Sequence, residues 1–567
     1  MPIELFSFDK GVNRKKSRLL LTEGEVYNVK GFSYKIDGQL SARDATTISY
    51  PIDITATSTI NEIHRYGTSM LSSSKALCPG AQSYFNYIYH RLSTGTSWTN
   101  IDTMRGSTRP RMADYDKFIF AVDGESKRVY DGSNDYEWGI APPEEAPNVV
   151  DTGVAGNPDG EYACYYTFYV IFPNGKVYET GPSPSATVTL TTMQIGWSVK
   201  ACPYVGNGLS ISRRLYRTVS GIAYYVASIG DNETSTYTDN ELDATLQGNS
   251  ILSTTGYSTP PDSAVDVAFH LQRAFVIKDN TIYYSEPYMP FAFGSTSNIV
   301  VCKDDESLTG LIVWSEQLYI PSRYRWYRLQ GSSSDTWSVK QTFTDSGVIN
   351  RHTLAVTRFG ILGLYYDGIY IFDGATNKNL TEKYLGEQFF ADIDDLDSCW
   401  AYFDGLRYYF YYTDTTNQCI VLDFSYYPDI RWFFDDIPWD ARTFYKETGN
   451  HYLAYSGYEY TVSGTETIST ELWSGDKAFK DITKRKLLKY IYYDINTGGV
   501  DVGLSVYVDG VLIQSWTLNT NGRLRKREET INWKCEGYIF SIALTCSNSS
   551  AITIYSPWAL EADYVGV

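Results

Sequence analysis

The chain has 567 residues and a formal charge of −18, from 48 basic and 66 acidic side chains. So acidic a chain argues against a general nucleic-acid binder, which needs clustered Lys and Arg on phosphates, although local basic patches stay open. Hydrophobic content of 43% with 20% charge excludes a disordered chain, and the length allows about four domains. Its 50 Tyr, 25 Phe and 13 Trp residues favour pleated, half-buried surfaces, so strands should dominate. The start, Met1-Pro2-Ile3-Glu4, leads into a basic stretch without the apolar core of a secretory leader. No apolar run approaches the ~18 residues of a membrane span. The eight cysteines are scattered, with no Cys-x-x-Cys pair. That spacing argues against a zinc ribbon or a disulfide scaffold and for synthesis in a reducing compartment.

In chain order, residues 1–44 read as an N-terminal arm carrying Lys10, Arg14, Lys15, Lys16 and Arg18. Thr22 and Glu25 have capping-box spacing, which predicts one helical turn there. The basic stretch is either a solvated arm or a docking element for an acidic neighbour. Residues 45–141 read as short strands, with Asp123-Gly124 and Asp131-Gly132 as hairpin turns between apolar runs. Proline clusters at Ala141–Pro147 and Thr259–Asp262 bracket 142–260. About seven short strands in that interval suit an inserted immunoglobulin or fibronectin-III-like sandwich, with one short helix over Asn240–Leu246. In 261–480 hairpin turns recur near 279, 317, 367, 404 and 449. A hairpin every ~40–50 residues marks propeller blades. Five blades here and two in 45–141 make one propeller of about seven blades. Its closure requires an early strand to join the last blade. Residues 481–567 alternate apolar and polar at Val500–Val508 and Tyr538–Leu544, which predicts a C-terminal antiparallel β-sandwich. Two basic stretches flank it, Lys484-Arg485-Lys486 and Arg523 with Arg525, Lys526 and Arg527. They form a solvated rim or an interface with an acidic partner.

Motifs of known chemistry are missing from the sequence. The nearest two of five histidines are 26 residues apart, so no His-x-x-x-His pair exists. No Gly-x-Ser-x-Gly elbow and no P-loop occurs. The acidic run Asp392, Asp394, Asp395 and Asp397 lacks the glycine and the distal glutamate of a calcium loop. Ser334-Asp335-Thr336-Trp337 lacks the glycine of a sialidase Asp-box and reads as an ordinary turn. No cofactor, metal or catalytic constellation is therefore expected.

A resemblance emerges from dispersed motifs. Gly11-Val12-Asn13, Leu20, Glu23, Asn28-Val29, Asp37-Gly38-Gln39-Leu40 and Arg43 resemble the start of the tail-tube or nozzle (tail hub) proteins of short-tailed, podovirus-like phages. Asp44-Ala45 stands where that pattern has a glycine. Arg273–Ser285 with Glu286-Pro287, Ile420–Phe424 with Trp432, and Gly498-Gly499-Val500 with Val508-Asp509-Gly510 are similar to later segments of the family. The resemblance implies a virion protein made in the host cytoplasm that forms a hexameric ring below the portal and adaptor. Such a ring extends the DNA channel, carries tail fibres or spikes and serves as the nozzle for genome ejection. Its partners would be copies of itself, the adaptor, the fibres or spikes, and passing DNA that is not specifically bound. Arg14, Lys15, Lys16, Arg18, Arg525, Lys526 and Arg527 are then candidate partner contacts. Asp392, Asp394, Asp395, Asp397, Asp304 and Asp305 are candidates to face the channel, where negative charge does not hold phosphates. The competing expectation is a glycan-binding or glycan-degrading propeller, an adhesin or depolymerase. That reading predicts an aromatic shelf or a carboxylate pair at the propeller mouth.

Overall fold

The computed structural model describes residues 2–36, 39–42, 45–51, 59–66, 69–77, 84–92, 99–104, 108–132, 134–204, 206, 208–303, 305–413, 417–435, 443–447, 450–455, 458–464, 468–530, 534–549 and 552–565. Residues 35, 36, 417, 548 and 549 and the strands within 45–104 and 443–464 are described as backbone only. The protein is all-β, a propeller interrupted by one sandwich and followed by another.

Among the described residues, six antiparallel sheets of four or five strands and the first four strands of a nine-stranded sheet form seven blades. Blades 1 and 2 span Thr59–Met104 and Arg111–Glu137, and blades 3 to 6 span Asp266–Val300, Ile312–Gln341, Ala355–Asn379 and Trp400–Asp435. Blade 7 takes three strands from Thr443–Gly464 and its outer strand from Ala45–Pro51. Tyr458 pairs with Pro51 and Gly464 with Ala45, so the early strand does join the last blade. The first strand of each blade lies innermost, against its counterparts in neighbouring blades. One face of the disc, here the upper face, therefore carries the turns between second and third strands and the links from blade to blade.

The irregular spacing of the recurring hairpins has a simple cause. The turns near 279 and 367 join the second and third strands of their blades, whereas those near 317 and 404 join the first and second. The turn placed at Glu316-Gln317 lies one residue earlier. Ser315 and Glu316 both adopt positive φ (48° and 60°), a conformation that sequence signals only through Gly, Asn or Asp.

The inserted sandwich packs a three-stranded sheet (Asn148–Ala155, Met193–Ser198, Thr236–Asp239) on a five-stranded one built around Gly160–Ile171. Its short helix is Asp243–Leu246. Its core is continuous with blades 2 and 3: Phe172 stacks on Phe291 and meets Phe118 edge-on.

Residues 1–44 are not a free arm. Ile3–Phe6 pairs with Trp558–Tyr564, and Gln39–Ala42 pairs with Thr553–Tyr555. Asn28–Lys30 lies between the outer strand of blade 6 and Ile468–Trp473, a strand of the C-terminal sandwich that sits inside 261–480. Phe6, Phe8, Val12, Val29 and Phe32 enter one core with blades 5 and 6 and that sandwich. The expected helical turn at Thr22 is absent: Glu25 accepts from the Thr22 N–H, but the chain turns directly into a strand at Glu25-Val26. Gly11 explains its own identity. Its φ is +85°, and a Cβ there would stand 2.6 Å from the backbone nitrogen of Trp432.

Gly11→Ala should cost at least ~3 kcal/mol in urea unfolding, through the left-handed φ and the backbone clash together. Gly510→Ala, at a similar φ of +81° with nothing within 4 Å, should cost only ~1 kcal/mol. Equal losses would remove the close contact with Trp432 from the account.

Candidate functional site

The basic residues of the N-terminal segment serve mostly internal contacts. Asn13 is fully buried; its amide donates to Glu25 at 2.9 Å, and its side-chain oxygen accepts from the Lys15 and Lys16 N–H groups. The Lys16 ammonium lies 2.9 Å from Glu25. Burial acts to raise the Glu25 carboxyl, but hydrogen bonds from Thr22, Lys16 and Asn13 bring it down to about 2. Arg14 donates to Asn28 at 3.0 Å and lies over Phe434. Arg18 faces Asp476 at 3.4 Å and covers Tyr27 and Trp473. Lys15 projects outward.

On the C-terminal sandwich, Arg525, Lys526 and Arg527 lie on Leu524–Glu529, an edge strand paired on one side with Lys486–Asn496. Cationic side chains there blunt the free edge against strand addition. Arg525 meets Asp494 at 2.8 Å, Lys526 meets Glu528 at 2.6 Å, and Arg527 covers Tyr490 and faces Glu561 at 3.6 Å. Arg523 and Arg525 together hold the Asp494 carboxyl below its ordinary range. These residues stay solvent-exposed, so the strand presents charge outward while each charge has a carboxylate of its own chain.

The acidic run lies on the upper face, in the link from blade 5 to blade 6. Asp392, Asp394, Asp395 and Asp397 are all exposed. Asp392 accepts from Gln388 at 2.6 Å, and Asp395 accepts from the Asp397 N–H. Asp397 pairs with Arg323 at 2.7 Å and pushes that guanidinium's pKa up. Asp305 is exposed in the link from blade 3 to blade 4, while Asp304 lies outside the described residues. No group of three or more His, Cys, Asp or Glu able to hold a metal occurs among the described residues.

Beside this run lies a cluster that the sequence did not single out. The turn Ser322–Arg325 of blade 4 presents Arg323 and Tyr324, and the turn after Tyr365 in blade 5 presents Tyr366. Tyr324 and Tyr366 lie nearly parallel, 6.3 Å apart, and Tyr365 meets Tyr366 edge-on. Arg325 reaches the buried Glu306, which also accepts from the Ser322 hydroxyl. Phe343, in the link from blade 4 to blade 5, is 99% exposed. The available signal was Arg-Tyr-Arg in a tight turn, where Gly, Asn or Asp is the rule.

At this face a contact spans the propeller axis. Arg109, just ahead of the inner strand of blade 2, lies 5.4 Å from the ring centre of Trp400, which opens the inner strand of blade 6 across the ring. Arg111 donates to the fully buried Asp266 at 3.0 Å, and Asp266 also accepts from the Leu311 N–H. Burial pulls the Arg351 pKa below its ordinary value; Asp266 opposes this, and Arg111 and Arg109 add to it.

The carboxyls of Glu25, Asp231, Asp262, Asp373, Asp481 and Asp494 lie below their ordinary range. Burial pushes the thiols of Cys164 and Cys399 up to about 12, and those of Cys202, Cys302 and Cys535 to about 11. No helix among the described residues is long and apolar enough to cross a membrane.

No family model matches the chain, and no curated protein matches it. Among solved structures it is similar to BamB from Moraxella catarrhalis, at 10% identity over 74% of this chain and 96% of that one, with a TM-score of 0.33. The computationally designed Ika8 protein matches at 8% identity over 73% and 98%, with a TM-score of 0.32. An α-L-arabinanase from Penicillium chrysogenum matches at 10% identity over 68% and 99%, with a TM-score of 0.22. Scores this low carry no argument about activity or partners.

The Glu25 carboxyl stabilises the fold fully above its unfolded value of 4.5, and that contribution is lost as pH falls through about 2. The full shift corresponds to about 3.4 kcal/mol; with solvent screening of a partly open pair, Glu25→Gln should cost about 2 kcal/mol at pH 7, and the gap to the unmodified chain should narrow from pH 4.5 towards 2. A gap independent of pH in urea titrations would refute the ion-pair account. Lys15→Glu should leave Tm unchanged, whereas Lys16→Glu should lower it.

Proposed function

We propose that the chain is a structural subunit of a short-tailed phage tail, forming a ring that extends the DNA channel and bears attached fibres or spikes. The observation that carries this reading is the place of the resembling motif. Gly11-Val12-Asn13 and Asn28-Val29 form the splice between propeller and C-terminal sandwich, so the residues that resemble the family organise the whole subunit. Asp37, Gly38, Arg43 and Asp44 of that motif lie outside the described residues.

Three further observations support it. The axis of the propeller, spanned by Arg109 and Trp400, has no room for a duplex whose major groove alone is about 12 Å wide. The conduit is then the space enclosed by several copies, through contacts that close into a ring. The upper face carries exposed carboxylates at Asp392, Asp394 and Asp395, which do not grip phosphates. Several of the basic residues are neutralised within the chain, while Lys10, Arg14 and Lys15 stay exposed in the N-terminal segment. Hexameric order, adaptor binding and the virion location follow from the resemblance.

One observation favours the competing glycan reading: the exposed Tyr324–Tyr366 pair flanked by Arg323 and Asp397 on the mouth of the propeller.

Negative-stain images and native mass of the chain, alone and with lysate of infected cells, decide between them. Rings with a central channel and a mass near six copies of 64.2 kDa are the expected result. Compact monomers or trimers that join no particle in either sample would refute the subunit reading. If the acidic run lines the conduit, changing Asp392, Asp394 and Asp395 to Lys should leave assembly intact and slow DNA release, most at low salt. Release at an unchanged rate would place these residues away from the lumen.

A further inference from the structure

Each sandwich carries one surface at the rim of the disc, and the two surfaces lie on opposite sides of it. The inserted sandwich leaves the outer strand of blade 2, Asp135–Glu137, and returns through Tyr257-Ser258, which pairs with the fourth strand of blade 3. The C-terminal sandwich continues blade 6 outward, because Asn28–Lys30 joins the outer strand of that blade to Ile468–Trp473. Blades 2 and 3 stand across a seven-bladed disc from blades 5 and 6.

The far tip of the inserted sandwich is acidic. Strand Gly160–Ile171 runs from this tip to the blades, where the next residue, Phe172, stacks on Phe291. At ~3.3 Å per residue the tip lies about 36 Å from that stack. There the Asn157 amide donates to the Asn240 carbonyl at 2.7 Å and ties two loops together. Val154 and Leu242 stand exposed beside this tie. Asp159 and Glu161, both exposed, and the half-buried Glu241 adjoin them. Among the described residues no cation pairs with any of these three carboxylates.

The far edge of the C-terminal sandwich is cationic. Its two sheets end there in Val511–Leu518 and Leu524–Glu529, the strands farthest from the propeller. Val511 and Leu512 are exposed on the first. Arg523, Arg525, Lys526 and Arg527 are exposed at the second. The layering of charge sets the sign of this surface. The Arg525 side chain is 78% exposed, whereas the Asp494 side chain that it meets is 6% exposed. Arg527 likewise lies outside Glu561. Carboxylates beneath and guanidiniums on top present positive charge outward, although the pairs are internal. A guanidinium has five N–H donors, so one that serves its own chain keeps others for a second carboxylate. Exposed aliphatic side chains beside charge, of opposite sign on the two surfaces, make a complementary pair.

We propose that the acidic tip of the inserted sandwich docks on the cationic edge of the C-terminal sandwich of a second copy of this chain. This contact rests on the ring proposed above and names the surfaces that build it. Val154 and Leu242 meet Val511 and Leu512, while Asp159 and Glu161 meet Arg525 and Arg527. The two surfaces differ and sit on opposite sides of one subunit, so the contact is head-to-tail and its repetition closes into a ring.

The test is charge reversal in the full chain, under the conditions in which the unmodified chain forms rings. Asp159→Lys with Glu161→Lys should leave single copies in place of rings, by negative stain and native mass. Arg525→Glu with Arg527→Glu, made in a separate chain, should do the same. Mixing the two variants should restore rings, because every contact between unlike copies again pairs opposite charges. Restoration also shows that both variants fold. Rings formed by either variant alone would overturn the proposal and leave the conduit reading standing. So would rings lost in both variants and not restored by mixing while each keeps its Tm, since the two surfaces then do not meet. No ring from the unmodified chain, alone or with lysate of infected cells, would remove the conduit reading and this contact with it.

Discussion

Ring closure governs this structure. A propeller cut between two blades exposes a strand edge on each side, open to pairing with any other chain. Here the gap is filled by Ala45–Pro51, which completes blade 7 beside Tyr458–Gly464. The same N-terminal segment first threads the C-terminal sandwich and contributes Asn28–Lys30 between that sandwich and blade 6. One stretch of chain thus closes the disc and fixes the sandwich to it. Closure brings together segments near opposite ends of the chain, the kind of long-range pairing that forms late and slowly.

The second consequence is rigidity. The two sandwiches are not beads on linkers, because each shares a hydrophobic core with a pair of blades. Phe172, Phe291 and Phe118 join the inserted sandwich to blades 2 and 3. Phe8, Trp558, Trp432 and Val29 belong to the core that unites the C-terminal sandwich with blades 5 and 6. A chain built this way moves as one body. It also creates seams, and a seam between imperfectly matched surfaces is where cavities persist.

Electrostatics follow the same division between inside and outside. With 48 cations among 66 anions, many cations find a carboxylate of their own chain, as Lys16 finds Glu25 and Arg525 finds Asp494. The surplus negative charge remains on exposed loops such as Asp392–Asp395. Near the axis the order reverses: Arg109, Arg111 and Arg351 gather around Asp266.

The fold class was legible in the sequence because its signals are local. Alternation of apolar residues, Asp-Gly turns and recurring hairpins are written within a few residues of one another, and proline clusters mark where the inserted sandwich begins and ends. The need for an early strand in the last blade followed from counting edges. The turn at Ser315-Glu316 escaped because its left-handed residues carry no glycine. The arm was misread because Lys10 to Arg18 are basic and the strands around them are two to five residues long; Ile3–Phe6, Asn28–Lys30 and the outer side of Gln39–Ala42 find their partners more than 400 residues away. The site residues divide in the same way. The sequence could mark Arg14, Lys16, Arg18 and Arg525 as charged, but not that each would meet a partner inside the chain. It could not foresee the Tyr324–Tyr366 pair, the Arg109–Trp400 contact or the Phe172–Phe291 stack, since each joins residues from different blades or domains. Composition and periodicity determined that the chain would form blades and sandwiches; tertiary structure alone decided which surfaces meet, because proximity between distant segments is a property of the closed ring and of no single stretch of it.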